Sequence, residues 1–330
     1  MLIAQLLNLL YNIVDRIYIG KIPGEGTLAL ASIGLCFPFV TLITAFANLF
    51  GLGGAPLCAM ARGKGNREGA QGIMVNAGFM LLLSGAVLTV LGIAFHRPLL
   101  YLFGASEVTY PYASSYIVIY LIGTLCVMLS LGLNPYINCQ GFARTGMLTV
   151  ALGAAANIVL DPIFIFALHL GVRGAAIATV LSQFLSAAWV VKFLTGKKAE
   201  LKLDFRGFRP DCQCIQRITV LGIASFVMSF TDTLVQVACN ATLRNFGGDL
   251  YISIMTVLNS VRQIAQTPVL AIADGASTAI SYNYGAGLYK RTRDAIRFMT
   301  QIAIGYTMLV WMLVSLFPAL FIRIFNQDAE

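Results

Sequence analysis

Asn157-Ile158-Val159-Leu160-Asp161-Pro162-Ile163-Phe164-Ile165-Phe166, followed by a turn at Gly171 to Gly174 and then Ala175-Ala176-Ile177-Ala178-Thr179-Val180, is the stretch on which the fold turns. It is apolar enough to sit in a bilayer, yet it carries a carboxylate and a carboxamide. Asn157 and Asp161 are four residues apart and share one helix face, with Pro162 bending the backbone just beyond them. An ionisable group at such depth is costly and by default marks an ion or proton site. The alternative is structural, with Asp161 pairing to backbone groups freed at the Pro162 kink.

Composition gives the same class. The chain of 330 residues is 58% hydrophobic and 11% charged, where a soluble domain carries about 25% charge. Its net charge of +8 is no nucleic-acid signal, because basic residues on a membrane protein mark cytoplasmic loops and their placement matters more than their sum. The seven cysteines form no zinc spacing, and Cys212-Gln213-Cys214 is expected as free thiols in a basic loop. His96 and His169 are expected in solvated loops, with no metal-ligand neighbour. The N-terminus has no basic n-region or small-residue cleavage site.

Nine spans are expected. The first, residues 2 to 20, carries Asn8, Asn12 and Asp15 as one polar stripe; Asp15 can equally be an interfacial acid beside Arg16. The second extends from Gly26 to Ala61 without a charge, so a long helix broken or kinked at Pro38 and around Gly51-Leu52-Gly53-Gly54 is expected. The third covers Gly69 to Phe95 and the fourth lies within Val108 to Asn138. The fifth carries Asn157 and Asp161, and the sixth, Gly174 to about Leu194, carries Thr179. Spans seven (Ile218 to Leu243) and eight (Leu250 to Tyr284) carry Asp232, Arg262, Gln263 and Asp274, and span nine is Phe298 to Ile322. Asp232 and Asp274 can serve a second ion or substrate site, or can neutralise Arg262. Residues 1–195 thus form a six-helix lobe, 196–217 a basic cytoplasmic linker, and 218–330 a partial second lobe. This is an all-α polytopic membrane protein.

Charge sets the topology. Fifteen Lys and Arg fall on the side that holds the linker and five on the other, with Arg16 and Arg262 within spans, which accounts for all 22. The linker side is therefore cytoplasmic and lies near anionic lipid, in a prokaryotic plasma membrane. The halves also repeat: Gly53, Gly63, Gly65 and Phe103 recur at Gly275, Gly285, Gly287 and Phe325, each 222 residues on. Spans two and eight run in the same direction, so the repeat is parallel, about an axis along the membrane normal. At that offset the sequence stops where a tenth helix is expected to start, which predicts a transport-inactive fragment.

Three segments resemble one family. They are Asn157-x3-Asp161-Pro162 with Gly-Ala-Ala-x-Ala-Thr179, Tyr11-Asn12-Ile13-Val14-Asp15-Arg16-Ile17-Tyr18-Ile19-Gly20, and Ile280-Ser281-Tyr282-Asn283-Tyr284-Gly285-Ala286. Together they are similar to the signatures of the multidrug and toxic compound extrusion (MATE) family. The resemblance implies a secondary transporter working by alternating access, which exports organic, often cationic compounds in exchange for Na⁺ or H⁺. It implies no further cofactor, no nucleic acid and a monomer when complete. It places the cation or proton site at Asp15, Asn157, Asp161 and Thr179; a substrate cavity between the two lobes is expected among Tyr11, Asn12, Asp232, Gln263, Asp274 and Asn283. Two carboxylates can hold Na⁺ with carboxamide and hydroxyl oxygens, or one can take a proton. One charge moving inward supplies about 2.3 kcal/mol per 100 mV.

A flippase for lipid-linked precursors, of related architecture, would need a strongly cationic cavity for its anionic cargo. Only Arg16 and Arg262 lie in spans, so export of organic compounds ranks above it. An intramembrane enzyme would need a nucleophile–base pair or paired metal ligands within spans, and no His-x3-His or Glu-x2-His pair exists.

Overall fold

The computed structural model describes residues 7, 14, 15, 17–22 and 26–316. Residues 14, 15 and 17–20 are helical and belong to α1. The elements that follow are α2 (Gly26–Gly63), α3 (Arg67–Leu102), α4 (Tyr110–Ile122), α5 (Thr124–Cys139), α6 (Ala143–Pro162), a π-helical turn (Ile163–Ala167), α7 (Gly171–Thr195), α8 (Cys212–Gly285) and α9 (Tyr289–Leu316). Six of the described helices are long and apolar enough to cross a membrane, and α4 with α5, bent by 56° at Gly123, completes a seventh span. All described secondary structure is helical, as a bilayer requires of segments that satisfy their own backbone.

Of the break or kink expected in the second span, a break is excluded: α2 is continuous through Pro38 and Pro56. Its glycines instead form a packing face. A Cβ at Gly51 would lie 2.8 Å from the Gly132 carbonyl oxygen of α5, and one at Gly53 would lie 2.8 Å from the Gly222 Cα of α8. Gly54 leaves room for Tyr136, whose hydroxyl donates to the Phe50 carbonyl at 2.8 Å. Glycine lets three helices approach backbone to backbone, which is how helices associate where solvent gives no hydrophobic drive. Helix α3 runs past its expected end, so His96 is a half-buried helical residue, its Nδ1 2.7 Å from the Ile93 carbonyl. His169 falls outside any helix, with φ 54°.

Spans seven and eight share one helical element, α8, of 74 residues. A straight helix of that length would run about 110 Å. Yet Gly222 meets α2 at Leu49 and Gly285 meets it at Met60. Those two α2 positions are separated by only about 17 Å, so α8 doubles back between its ends. The two directions are those expected of two spans. Cys212 opens α8 rather than lying in a loop: Asp211 caps the helix, accepting from the amides of Gln213 (2.9 Å) and Cys214 (3.2 Å).

The linker between α7 and α8 is docked rather than loose. Leu201 and Leu203 are buried, the Leu201 amide donates to Gln140 Oε1 (2.9 Å), and the Asp211 amide donates to Asn76 Oδ1 (2.9 Å). Arg62 pairs with Glu200 and also donates to the Cys139 carbonyl, and Arg67 donates to the Glu200 carbonyl at 2.7 Å.

The repeat is written in the backbone. After α2 the amides of Lys64, Gly65, Asn66 and Ala70 donate to the carbonyls of Met60, Arg62, Ala61 and Asn66. After α8 the amides of Ala286, Gly287, Leu288 and Thr292 donate to Tyr282, Tyr284, Asn283 and Leu288, each bond moved by 222 residues at both ends. Gly65 and Gly287 take the same left-handed conformation, φ 76° and 73°, which glycine alone adopts freely. The contact between the halves has the same symmetry. Gly63 of α2 packs on the Tyr282 carbonyl, and Gly285 of α8 packs on the Met60 carbonyl. A two-fold relation between α2 and α8 exchanges these contacts.

Candidate functional site

The first lobe holds a buried polar cluster at the point where α6 gives way to the π-turn. Pro162 has no amide hydrogen and cannot continue the α-helical ladder, and the chain widens by one residue per turn, with the Leu168 amide donating to the Ile163 carbonyl at 2.9 Å. Gly174 at the start of α7 packs directly on this turn, where a Cβ would lie 2.9 Å from the Ile165 amide nitrogen. Tyr18 of α1 meets Phe166 edge to face, with ring centroids 6.2 Å apart. One helical turn before Tyr18 is Asp15. The π-turn thus seats both α1 and α7, and brings Asp15 and Thr179 toward Asp161.

Asp161 and Asn157 are 0% and 2% exposed, and the Asn157 amide donates to Asp161 Oδ1 at 3.1 Å. The Asp15 and Asp161 carboxyl groups lie close enough to interact directly with each other. Two carboxyl groups in that relation need a proton between them, or a cation in its place, because two carboxylates repel. Asp161 therefore engages side chains of α1 and of its own helix. Asn157 Oδ1 and Asp161 Oδ2 are buried and meet no hydrogen-bond donor among the described residues. Buried acceptors left over in this way, next to two carboxyl groups, fit a small hard cation with oxygen ligands. Among the described residues no cluster of three or more His, Cys, Asp or Glu exists that would hold a metal.

Thr179 sits on the same cluster, its hydroxyl donating to the Ala175 carbonyl at 3.0 Å. Its neighbour is Tyr116 of α4, which is buried beside Thr179 and close enough to Asp15 to interact with its charge. Tyr116 was not legible in the sequence. It is one of four tyrosines, Tyr110, Tyr112, Tyr116 and Tyr120, in an apolar helix, and spacing alone does not single it out. It stacks on Tyr120 at 6.1 Å, which fixes its ring.

Of the residues proposed for a substrate cavity, the described ones, Asp232, Asp274 and Asn283, lie on α8. Tyr11 and Asn12 lie outside the described residues, as does the side chain of Gln263. Asp232 is exposed on α8, and Asp274 is half-buried on the same helix. The Arg62–Glu200 pair is the one salt bridge among the described residues, so Arg262 is not neutralised there by Asp232 or Asp274. Asn283 lines a cleft of about 440 Å³ at the linker end, between Arg62, Asn138 and Gln140 of the first lobe and Gly275, Thr278 and Tyr282 of α8. Arg62 also lies over the Tyr282 ring, 5.9 Å from its centroid.

Comparison with known proteins agrees with the fold. The MatE family model matches residues 1–163 and 224–330. The chain is 25% identical over its whole length to the multidrug export protein MepA of Staphylococcus haemolyticus, of which it covers 72%. It is 22% identical, over 95% of its length, to MepA of Staphylococcus aureus, of which it covers 68%. Among solved structures it superposes on a MATE protein in complex with MaD3S with a TM-score of 0.90 and 26% identity, covering 99% of this chain and 73% of that one. An outward-facing multidrug resistance MATE family transporter of the MOP superfamily gives a TM-score of 0.89 at 26% identity, covering 99% and 72%.

Proposed function

Because the chain belongs to the MATE family of multidrug efflux transporters, we propose that it exports organic cationic or amphipathic compounds by antiport, with Na⁺ or H⁺ as the coupling ion. The observation that carries this reading is the carboxyl pair of buried Asp161 and half-buried Asp15 with the donor-free oxygen of Asn157. Such a group is costly in a membrane and has no structural work that an apolar residue would not do better. A cation moving down its gradient neutralises the pair, and its release restores the repulsion. The free energy of that exchange can bias the two lobes between their arrangements.

Alternating access by rocking of related halves also suits the α2–α8 contact, whose small residues allow close approach and separation without threading side chains. At the linker end α2 and α8 meet through this contact. Asp15, Tyr116, Asn157, Asp161 and Thr179 would hold the ion within the first lobe, apart from the interface between lobes.

Two measurements bear on this reading. Thr179→Ala removes one neutral oxygen and leaves both carboxyl groups, so ion-driven export should fall by about threefold to tenfold rather than vanish. Full activity in that variant would take Thr179 out of the site. Orientation follows from the distribution of basic residues: a cysteine replacing Lys198 should react only with reagents on the cytoplasmic side, and one replacing Arg173 only with external ones. The reverse labelling pattern would invert the assignment of the two gates.

A further inference from the structure

The cation cluster does not end at Thr179. Three polar stripes continue from it toward the linker end, each at helical spacing: Asn157, Gly153 and Thr149 on α6; Thr179, Ser182 and Ser186 on α7; Ser130 and Asn134 on α5. They face one another across a partly open cavity of about 50 Å³, room enough for a few waters or a partly hydrated ion. Its hydroxyl protons are already committed. Ser182 donates to the Ala178 carbonyl (2.8 Å), Thr149 to the Thr145 carbonyl (3.1 Å), Ser186 to the Thr149 carbonyl (3.2 Å) and Ser130 to Gln183 Oε1 (2.6 Å). What these hydroxyls have left are lone pairs.

Two amide oxygens add to them. Asn157 Oδ1 opens the cavity at the cluster end, Asn134 Oδ1 closes it at the other, and neither meets a donor among the described residues. Small polar stripes alone serve helix packing in membranes; unsatisfied acceptors at both ends do not. Oxygen lone pairs with no fixed charge favour a cation but do not trap it.

Beyond Asn134 the way narrows and then opens. The amide oxygens of Asn134 and Asn138, one turn apart on α5, lie over Gly146 of α6, where an added Cβ would come within 3.0 Å of Asn134 Oδ1. Asn138 also lines the linker-end cleft of about 440 Å³. The cation at that mouth, Arg62, is compensated by Glu200.

We infer that the coupling ion is Na⁺ and that it passes between the Asp161 cluster and the linker side through the first lobe itself, along this neutral-oxygen passage between α5, α6 and α7. The inference rests on the antiport reading above. It separates the route of the ion from the interface between lobes, which is left to the organic substrate. The constriction at Asn134, Asn138 and Gly146 is then the inner gate for the ion.

The test compares equilibrium ²²Na⁺ binding by the purified full-length protein with ²²Na⁺ exchange across proteoliposomes. Asp161→Asn should abolish binding. Asn134→Leu keeps the side-chain volume but removes the gate oxygen, and should bind ²²Na⁺ with parental affinity while exchanging it on the order of tenfold more slowly. Gly146→Ala narrows the same point from the opposite helix and should act in the same direction, so that a folding defect in one variant does not decide the matter. Parental exchange rates in both variants would overturn the passage and leave the cluster standing as the ion site. Loss of equilibrium binding in both would make Asn134 part of the binding site, which also overturns the passage. Absence of Asp161-dependent ²²Na⁺ binding in the parental protein would overturn the passage together with sodium coupling at the cluster.

Discussion

Asp161→Asn is expected to abolish ion-driven export while leaving insertion and fold intact. The substitution keeps the shape of the side chain and its capacity to pair with Asn157, 3.1 Å away, but removes the charge that a coupling ion neutralises. Losing a buried charge lightens the cost of burial, so expression and thermal stability should be equal to or above the parental level. Export under a gradient should fall at least a hundredfold, to the rate seen with no gradient. Asp15→Asn should give the same loss, since the two carboxyl groups act as one unit. The double substitution should then cost no more than either single one. Additive losses would mean two separate sites and would remove the shared-ion account.

The second large effect is expected at the α2–α8 contact. Gly285 and Gly63 sit on carbonyls of the opposite helix, and a Cβ at Gly285 would lie 2.7 Å from the Met60 carbonyl carbon, with backbone rather than a flexible side chain in the way. Gly285→Leu should therefore prevent closure at the linker end. Overpacking of this kind costs roughly 1–3 kcal/mol or more, enough to move a two-state equilibrium by about five-fold to 150-fold. Export should drop accordingly, although the ion cluster, which lies elsewhere, should bind its cation as before. A cysteine pair introduced by Met60→Cys and Tyr282→Cys should cross-link readily in the parental background and poorly with Gly285→Leu. Undiminished cross-linking with full export would show that the contact is not a gate. Gly63→Leu, its partner under the two-fold relation, should behave alike.

The cluster was legible where chemistry is rare and periodic. A carboxylate and a carboxamide four residues apart before a proline, in an apolar run, cost too much to be kept there for packing alone, and Asp15 stood out for the same reason. The repeat was visible from four residue pairs, and the backbone hydrogen bonds after α2 and α8 match it at every position compared. Tyr116 stayed hidden because a tyrosine in an apolar helix carries no periodic signal of its own. The glycines from Gly51 to Gly54 suggested a break, since glycine weakens an isolated helix by about 1 kcal/mol against alanine. Close packing on α5 and α8 overrides that propensity. The linker, too, held a missed signal. Leu201-Lys202-Leu203-Asp204 alternates apolar and charged residues, and both leucines are buried against the first lobe. Asp211, a residue suited to cap a helix, marked the start of α8 that the cysteine pair obscured.

If a cation held by Asp15, Asn157 and Asp161 drives export, uptake of a fluorescent organic cation into inverted vesicles should depend both on an imposed ion gradient and on Asp161. A Na⁺ gradient and a pH gradient are imposed separately, on the full-length protein and on its Asp161→Asn variant. A gradient, with the Na⁺ gradient as the effective one, should accelerate uptake in the parental protein and leave the variant at its ungradiented rate. Equal acceleration in the two proteins, or uptake in the parental protein that neither gradient changes, would contradict this coupling.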